Sequence, residues 1–261
     1  MFAVFLLSFI ITSLIRRNLT KKPPRAVHIL ISIACGILII GVIGLIYLNI
    51  YSPAESDALQ TISQNSATIT ETDYGYFFDG EGKDTALVFY PGAKVDEKAY
   101  APLMQKLADG GVDCFLLKMP FHMAIFDMNA ADKVMSVNSY DTWILAGHSM
   151  GGVAASSYAA EHADTVDGLV LLASYPNELI SDHIAVLSLY GSEDGVLEKD
   201  AYEGSEHYFP ATYDEVVIDG GNHAEFADYG EQKGDGTATL SAEEQQTKTA
   251  YAILSFIKDI Q

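Results

Sequence analysis

Short apolar runs alternate with amphipathic segments along the chain after about residue 67. The runs are rich in Val, Ile, Leu and aromatic residues and end in Gly, Pro, Asn or Asp, which is typical of buried strands. They lie at 85–90, 112–118, 143–146, 168–173, 184–190 and 215–218, and an aromatic stretch at 68–78 predicts an opening hairpin. Helices are predicted between the runs, with apolar residues on one face of 96–109 and 242–260. The alternation predicts an α/β fold: a mostly parallel sheet with helices on both faces.

The first fifty residues follow a different pattern. Residues 29–48 are twenty positions without a charge, long enough to cross a bilayer as one helix. Residues 1–15 form a second apolar stretch, a possible but short span, because a helix of that length rises only about 22 Å. A basic cluster lies between the two stretches and comprises Arg16, Arg17, Lys21, Lys22 and Arg25. By the positive-inside rule, residues 16–25 are a cytoplasmic loop and residues 26–50 are the main span.

The chain therefore divides into three parts. We predict a membrane anchor at 1–51, a linker at 52–66 that is rich in Ser, Gln and Asn, and a catalytic domain at 67–261 on the extracytoplasmic side. Cleavage after the second apolar stretch is an alternative, but Ser52-Pro53-Ala54 is a poor match to a small-x-small site, which favours a retained anchor.

Charge narrows the range of partners. Ten lysines and no arginine face thirty-five acidic residues after Arg25, a formal charge of −25. This balance disfavours nucleic acid and anionic membrane surfaces as partners. The two cysteines, Cys35 and Cys114, fall in an apolar helix and an apolar strand, which argues against a structural disulfide. Neither a Cys pair nor an H-E-x-x-H motif occurs, so we expect no metal and no cofactor.

The strongest chemical motif is Gly-His-Ser-Met-Gly at 147–151, which fits G-x-S-x-G. An apolar strand precedes it and a small-residue helix follows it, which is the context that a nucleophile elbow requires. Glycines beside the serine allow the sharp turn from strand to helix. Ser149 is therefore the predicted nucleophile.

A nucleophilic serine needs a base and an orienting carboxylate. His223 follows the predicted strand at 215–218 and Asp194 follows the strand at 184–190, so both lie beyond carboxyl ends of strands, where open α/β sheets place their sites. We predict His223 as the base and Asp194 as the acid. Glu193 is the rival acid, and Asp219 is a weaker one.

The oxyanion donors are predicted to be backbone N–H groups. Met150 begins the helix after the nucleophile, where unpaired donors and the helix dipole favour negative charge. A second donor is expected from the loop after strand 85–90, with the N–H of Ala93 first and that of Lys94 next.

Four side chains are candidates for contact with substrate. Tyr90 ends the strand before the oxyanion loop, and His148 is the variable residue of the elbow. Phe121 and His122 belong to the apolar loop 119–126, which either forms a wall of the site or packs against the sheet. Only about ten residues join strand 168–173 to strand 184–190, so we expect an open site with a minimal lid.

With these motifs the chain resembles the α/β-hydrolase superfamily and, more narrowly, the dienelactone-hydrolase-like branch of small serine esterases. The matching segments are Phe-Tyr-Pro-Gly at 89–92, Gly-His-Ser-Met-Gly-Gly at 147–152, Gly-Ser-Glu-Asp at 191–194 and Gly-Asn-His at 221–223. Two features depart from the resemblance: many relatives carry His-Gly where this chain has Pro91-Gly92, and dienelactone hydrolases proper carry Cys where it has Ser149. The resemblance implies ester hydrolysis in general rather than that particular substrate.

The sequence thus predicts a membrane-anchored serine hydrolase that cleaves small carboxylic esters through an acyl-enzyme. A peptidase, a thioesterase or an acyltransferase would use the same three residues. A catalytically silent cell-surface binding protein on the same scaffold is the alternative from another class. The pattern leaves substrate identity and oligomeric state open.

Overall fold

The computed structural model describes residues 2–19, 24–65, 68–82 and 84–261. It separates into two compact units, Met1–Ile50 and Tyr51–Gln261. The first unit contains helix α1 (Phe2–Asn18) and helix α2 (Arg25–Leu48). Of the described helices, only α2 combines the length and apolar composition that crossing a membrane requires. The predicted loop at 16–25 is partly helical, and its Lys21 and Lys22 lie outside the described residues.

Polar side chains join the two helices of the first unit. Ser8 Oγ donates a hydrogen bond to the Ser32 carbonyl at 2.6 Å, and Thr12 Oγ1 bonds Ser32 Oγ. Such bonds stabilise helix pairs in apolar surroundings, because an unpaired hydroxyl there is costly.

The second unit is built on one eight-stranded sheet. The strands are β1 (Ile69–Thr72), β2 (Gly75–Phe78), β3 (Thr85–Tyr90), β4 (Asp113–Leu117), β5 (Thr142–His148), β6 (Gly168–Leu172), β7 (Ala185–Gly191) and β8 (Asp214–Ile218). Their order is β1-β2-β4-β3-β5-β6-β7-β8. The β1–β2 hairpin pairs antiparallel with β4, and every later pair is parallel. The predicted α/β fold with an opening hairpin is therefore confirmed.

Helices cover both faces of this sheet. They are α3 (Ser56–Gln64), α4 (Ala101–Asp109), α5 (Asp132–Met135), α6 (Met150–Glu161), α7 (Lys199–Gly204) and α8 (Ala242–Ile260). Along β3, Leu87 and Phe89 pack in the core beneath α4 and α8, whereas Ala86, Val88 and Tyr90 pack in the core beneath α5 and α6. This two-residue alternation buries both faces of the strand.

Two predicted segments differ from the structure. The stretch 52–66, predicted as a linker, contains helix α3, whose Ala58 is fully buried, and Ser52 forms a parallel bridge with Val95. The polar residues of this stretch form the exposed face of a helix, not an unstructured linker. The predicted helix at 96–109 is a 3₁₀ turn at Glu97–Tyr100 followed by α4. Pro102 accounts for the break, because it is tolerated only in the first turn of an α-helix.

Candidate active site

Ser149 occupies a strained turn between β5 and α6. Its φ of 53° and ψ of −125° fall outside the regions that non-glycine residues ordinarily occupy. Two hydrogen bonds hold this backbone: the Ser149 N–H donates to the Leu172 carbonyl at 2.9 Å, and the Ser174 hydroxyl donates to the Ser149 carbonyl at 2.8 Å. This is the geometry that G-x-S-x-G predicts for a nucleophile elbow.

The glycines of the elbow permit close backbone packing. A Cβ on Gly147 would collide with the backbone of Gly151, and a Cβ on Gly151 would collide with the carbonyls of Tyr90 and Pro91. The backbone of the elbow therefore contacts the backbone at the end of β3. This contact fixes the distance between the Ser149 turn and the loop after β3.

His223 and Asp194 meet beyond the ends of neighbouring strands. His223 Nδ1 lies 2.9 Å from Asp194 Oδ2, and both side chains are buried. The other carboxylate oxygen, Asp194 Oδ1, accepts the backbone N–H groups of Val196 at 2.9 Å and Leu197 at 2.7 Å. The carboxylate is thereby fixed in orientation and holds the imidazole.

The electrostatics of this pair favour an ionised carboxylate. Burial by itself would raise the pKa of Asp194, but the hydrogen bond and charge of His223 and the two backbone N–H groups outweigh burial and lower that pKa. An ionised Asp194 accepts a hydrogen bond from His223 Nδ1–H, so the lone pair of the ring lies on Nε2, the nitrogen that can act as a base.

The two rival acids lie elsewhere. Glu193 is exposed and its carboxylate accepts the Ser192 hydroxyl at 3.0 Å, while Asp219 is also exposed. Among the described residues, Asp194 is the carboxylate that contacts the His223 ring.

A cavity of about 470 Å³ opens where Ser149 and His223 come together. Its remaining lining is mostly apolar and consists of Ile125, Met128, Met150, Val153, Ala154, Ala173, Ser174, Tyr175, Asn177, Val196, Leu197 and Glu198. The segment 173–184 between β6 and β7 contains neither helix nor strand, in keeping with a minimal lid. An apolar cavity beside a serine and a histidine suits a small organic substrate.

The two predicted oxyanion donors differ in placement. Met150 lines the cavity and begins α6, and among the described residues its N–H donates to no carbonyl. Ala93 lies in the loop after β3, but it does not line the cavity. Lys94, the next candidate, donates its N–H to the His122 carbonyl at 2.7 Å and has a φ of 63°, so it is engaged in the loop itself.

Buried hydrogen bonds connect the loop after β3 to His148 through Tyr100. The Gly92 N–H donates to the Tyr100 hydroxyl at 2.9 Å, and this hydroxyl lies 2.7 Å from His148 Nδ1. A tyrosine hydroxyl both donates and accepts, so in either tautomer of His148 one hydrogen bond joins these two buried side chains. The His148 ring centroid lies 4.6 Å from that of His223.

His148 is held neutral in this position. Burial, together with the neighbouring His223, lowers the pKa of His148 well below its ordinary value. His148, one of the four predicted contact residues, does not line the cavity.

The other three predicted contact residues also lie outside the cavity lining. The Tyr90 hydroxyl donates to the Met128 carbonyl at 2.8 Å and accepts the Ala131 N–H at 3.0 Å. His122 stacks on Tyr51 and lies 3.5 Å from Glu97. Phe121 packs edge-on against Phe126. Of the apolar loop 119–126, Ile125 is the residue that reaches the cavity.

Several residues of the site had little or no signal in the sequence. Tyr100, Asn177 and Leu197 lie in segments without a motif, and only the folded chain brings them beside Ser149 or His148. For Leu197 the one clue was its position three residues after Asp194, because Asp side chains often accept a backbone N–H from a residue shortly after them. No cluster of three or more potential metal ligands occurs within the described residues.

Several solved structures share this fold. Est1E from Butyrivibrio proteoclasticus aligns with a TM-score of 0.53 and 15% identity over 73% of this chain and 98% of its own. A pyrethroid hydrolase from Sphingobium faniae JZ-2 aligns with a TM-score of 0.51 and 15% identity over 67% and 98%. DcsB, solved with a substrate analogue, aligns with a TM-score of 0.54 and 14% identity over 74% and 97%. At these identities the likeness is one of fold.

A sequence comparison is more specific. No curated protein matches the chain significantly. The model of the alpha/beta hydrolase family, however, matches residues 86–247, which span the sheet from β3 onward together with Ser149, Asp194 and His223. The chain therefore belongs to the alpha/beta hydrolase family.

Proposed function

We propose that this protein is a serine hydrolase that cleaves carboxylic esters through Ser149, His223 and Asp194. The observation that carries the proposal is the 2.9 Å pairing of His223 with Asp194 beside a cavity that His223 shares with the strained Ser149. Membership in the alpha/beta hydrolase family and hydrolases among the structural neighbours support hydrolysis. Within the family we propose the dienelactone-hydrolase-like branch of small esterases, in keeping with the short β6–β7 connection.

The same three residues serve both half-reactions, and His223 acts in each as the base and then as the acid. His223 removes the proton from the Ser149 hydroxyl, and the serine oxygen attacks the ester carbonyl. Asp194 holds the imidazole tautomer and stabilises the imidazolium that forms. The protonated His223 then delivers its proton to the departing alcohol, leaving an acyl-enzyme. His223 then deprotonates a water molecule, whose oxygen attacks the acyl carbon. The bond to Ser149 breaks, the acid leaves, and the protonated His223 returns its proton to the serine oxygen.

Backbone donors stabilise the charge that develops on the carbonyl oxygen. The Met150 N–H is one donor, and the Ala93 N–H is the proposed second. Removing one donor of this kind typically slows a serine hydrolase by about 10²–10³-fold. The apolar lining of the cavity favours small to medium esters with an apolar acyl group.

We also propose that α2 anchors the protein in a membrane, with Tyr51–Gln261 on the extracytoplasmic side. The length and composition of α2 support a span. The basic residues before α2 and at its first position, Arg16, Arg17 and Arg25 among them, support this orientation. The acidic surface of the domain suits a solvated, extracytoplasmic location and no nucleic-acid partner.

The test uses the full chain in detergent micelles with a fluorophosphonate probe and a short-chain nitrophenyl ester. We expect labelling and turnover in the parent, and loss of both in Ser149→Ala and His223→Ala. Ser136→Ala, which removes an exposed serine, is the matched control and should behave like the parent. A folded parent that neither labels nor turns over any ester, thioester or amide would favour the silent binding role instead.

A further inference from the structure

A loop that follows His223 in the chain contains a carboxylate with an unusual set of partners. Asp235 lies between Gly234 and Gly236, in a segment without helix or strand before α8. Its Oδ1 accepts the backbone N–H groups of Gly195 at 3.0 Å and Gly236 at 2.8 Å, and its Oδ2 accepts the N–H of Ala224 at 2.9 Å. Three backbone donors from three places in the chain thus converge on one side chain.

Two of these donors adjoin the acid and the base. Gly195 directly follows Asp194, and Ala224 directly follows His223. One carboxylate therefore joins the loop after β7, which supplies the acid, to the loop after β8, which supplies the histidine.

Close backbone packing makes this connection stiff. A Cβ on Gly195 would lie 2.7 Å from the Gly234 carbonyl oxygen and 2.8 Å from the Gly236 nitrogen. A Cβ on Gly236 would collide with the Glu193 carbonyl. The Asp235 loop and the acid loop therefore lie backbone against backbone, and neither can shift without moving the other.

The histidine loop is held from a second direction. The Asn222 N–H donates to Gln245 Oε1 at 3.0 Å, and Gln245 Nε2 donates to the Asn222 carbonyl at 2.8 Å. Gln245 belongs to α8, so two hydrogen bonds join this helix to the residue before His223. Asn222 Nδ2 also donates to the Gly236 carbonyl at 2.9 Å. The residues on either side of His223 are thus tied to the Asp235 loop.

We propose that Asp235 is a positioning residue that sets the alignment of Asp194 with His223; the proposal rests on the proposed function. A carboxylate suits this position because it only accepts hydrogen bonds, and every hydrogen-bond partner of the Asp235 side chain is a donor. An asparagine would turn its NH₂ group toward one of these donors and release one loop. Misplacement of reacting groups by about 1 Å can cost roughly 10²-fold in rate.

The experiment compares Asp235→Asn with Asp113→Asn in the full chain. Asp113 is the matched control because it is also a bridging carboxylate: it accepts the Gly80 N–H at 2.8 Å and the Tyr140 hydroxyl at 2.7 Å at the start of β4, away from the site. Gly236→Ala is a second variant, which keeps Asp235 but pushes its loop away from Glu193. The readouts are kcat and KM for the nitrophenyl ester, thermal unfolding, and the low-field proton resonance of His223 Nδ1–H.

We expect Asp235→Asn and Gly236→Ala to fold, to lower kcat by about 10- to 100-fold with little change in KM, and to lose the low-field resonance. Asp113→Asn should keep the resonance and the parent kcat. Parent kcat and an intact resonance in a folded Asp235→Asn would overturn the proposal. Unfolding of both loop variants while Asp113→Asn folds would also overturn it, because Asp235 would then serve the fold.

The two proposals fail separately. A parent without activity that still shows the resonance would contradict ester hydrolysis alone. Loss of the resonance in Asp235→Asn would then still support the positioning role.

Discussion

The Tyr100 hydroxyl lies 2.7 Å from His148 Nδ1, although 48 positions separate the two residues in the chain. Both side chains are buried, and the same hydroxyl accepts the N–H of Gly92. Through this contact the loop after β3, the elbow strand and the His223 ring behave as one packed group. Several expected outcomes follow from this group and from the Asp194–His223 pair.

Replacing Tyr100 with Phe should cost both stability and activity. The ring would still pack on Phe89, but the Gly92 N–H would be left buried without an acceptor. We expect a loss of about 1–3 kcal/mol in the free energy of unfolding. Tyr140→Phe, which removes a hydroxyl bonded to Asp113, is the control. Equal losses of ester turnover in the two variants would contradict a special role for Tyr100.

His148 should make the fold sensitive to mild acid. The folded protein holds the pKa of His148 well below 6.5, so protons bind the unfolded chain first as the pH falls. The full stability is therefore present above about pH 6.5 and declines below it, by up to about 1.4 kcal/mol per pH unit. Thermal unfolding of His148→Gln measured across this range should show a shallower decline. The control is His183→Gln, which changes an exposed histidine and should decline like the parent. An equally steep decline in His148→Gln and the parent would contradict this expectation.

Replacing Asp194 with Asn should lower kcat by about 10⁴-fold, because the amide no longer holds the reactive tautomer of His223. The lowered pKa of Asp194 adds stability that is present above its ordinary value of 3.8 and lost as the pH falls through the folded value. The variant should lack this part of the acid dependence. Glu193→Gln and Asp219→Asn should keep parent turnover. Loss of turnover in Glu193→Gln instead would make Glu193 the acid.

Gly151→Ala should disrupt the elbow. The new methyl group would collide with the carbonyls of Tyr90 and Pro91. Moving these backbone atoms would disturb the end of β3, which is costly in free energy. We expect labelling by the fluorophosphonate probe to fall strongly and the melting temperature to drop. Gly204→Ala, which places a methyl group in open space at the end of α7, should match the parent. Parent-like labelling of Gly151→Ala would show that the turn relaxes without consequence.

Membrane attachment can be measured without any activity. The full chain should stay in the membrane fraction after an alkaline carbonate wash and dissolve only in detergent, because α2 is apolar along its length. Protease added to intact cells should remove Tyr51–Gln261 if that unit lies outside. Release by carbonate, or protection from the protease, would contradict the anchor or its orientation respectively.

The sequence predicted the strands of the sheet and the Ser149 turn because their causes are local. Apolar runs of four to seven residues between turn residues favour strands, and these strands are buried except at the edge strand β8. A serine between glycines after such a run has few backbone options. The same logic placed His223 and Asp194 at strand ends. Composition misled at 52–66, because the polar residues of a helix with one buried face resemble those of a linker.

The choice between neighbouring carboxylates required the tertiary structure. Asp194 and Glu193 are adjacent and chemically alike, and only the folded loop shows that one meets His223 while the other faces solvent. The hydrogen-bond partners of Asp235 and of Tyr100 could not be predicted either, because a hydrogen bond between residues far apart in the chain produces no pattern in the sequence. Sequence alone therefore determined the strands and which polar side chains follow their ends. Packing decided which of those side chains touch, since contacts across the sheet exist only in the folded chain.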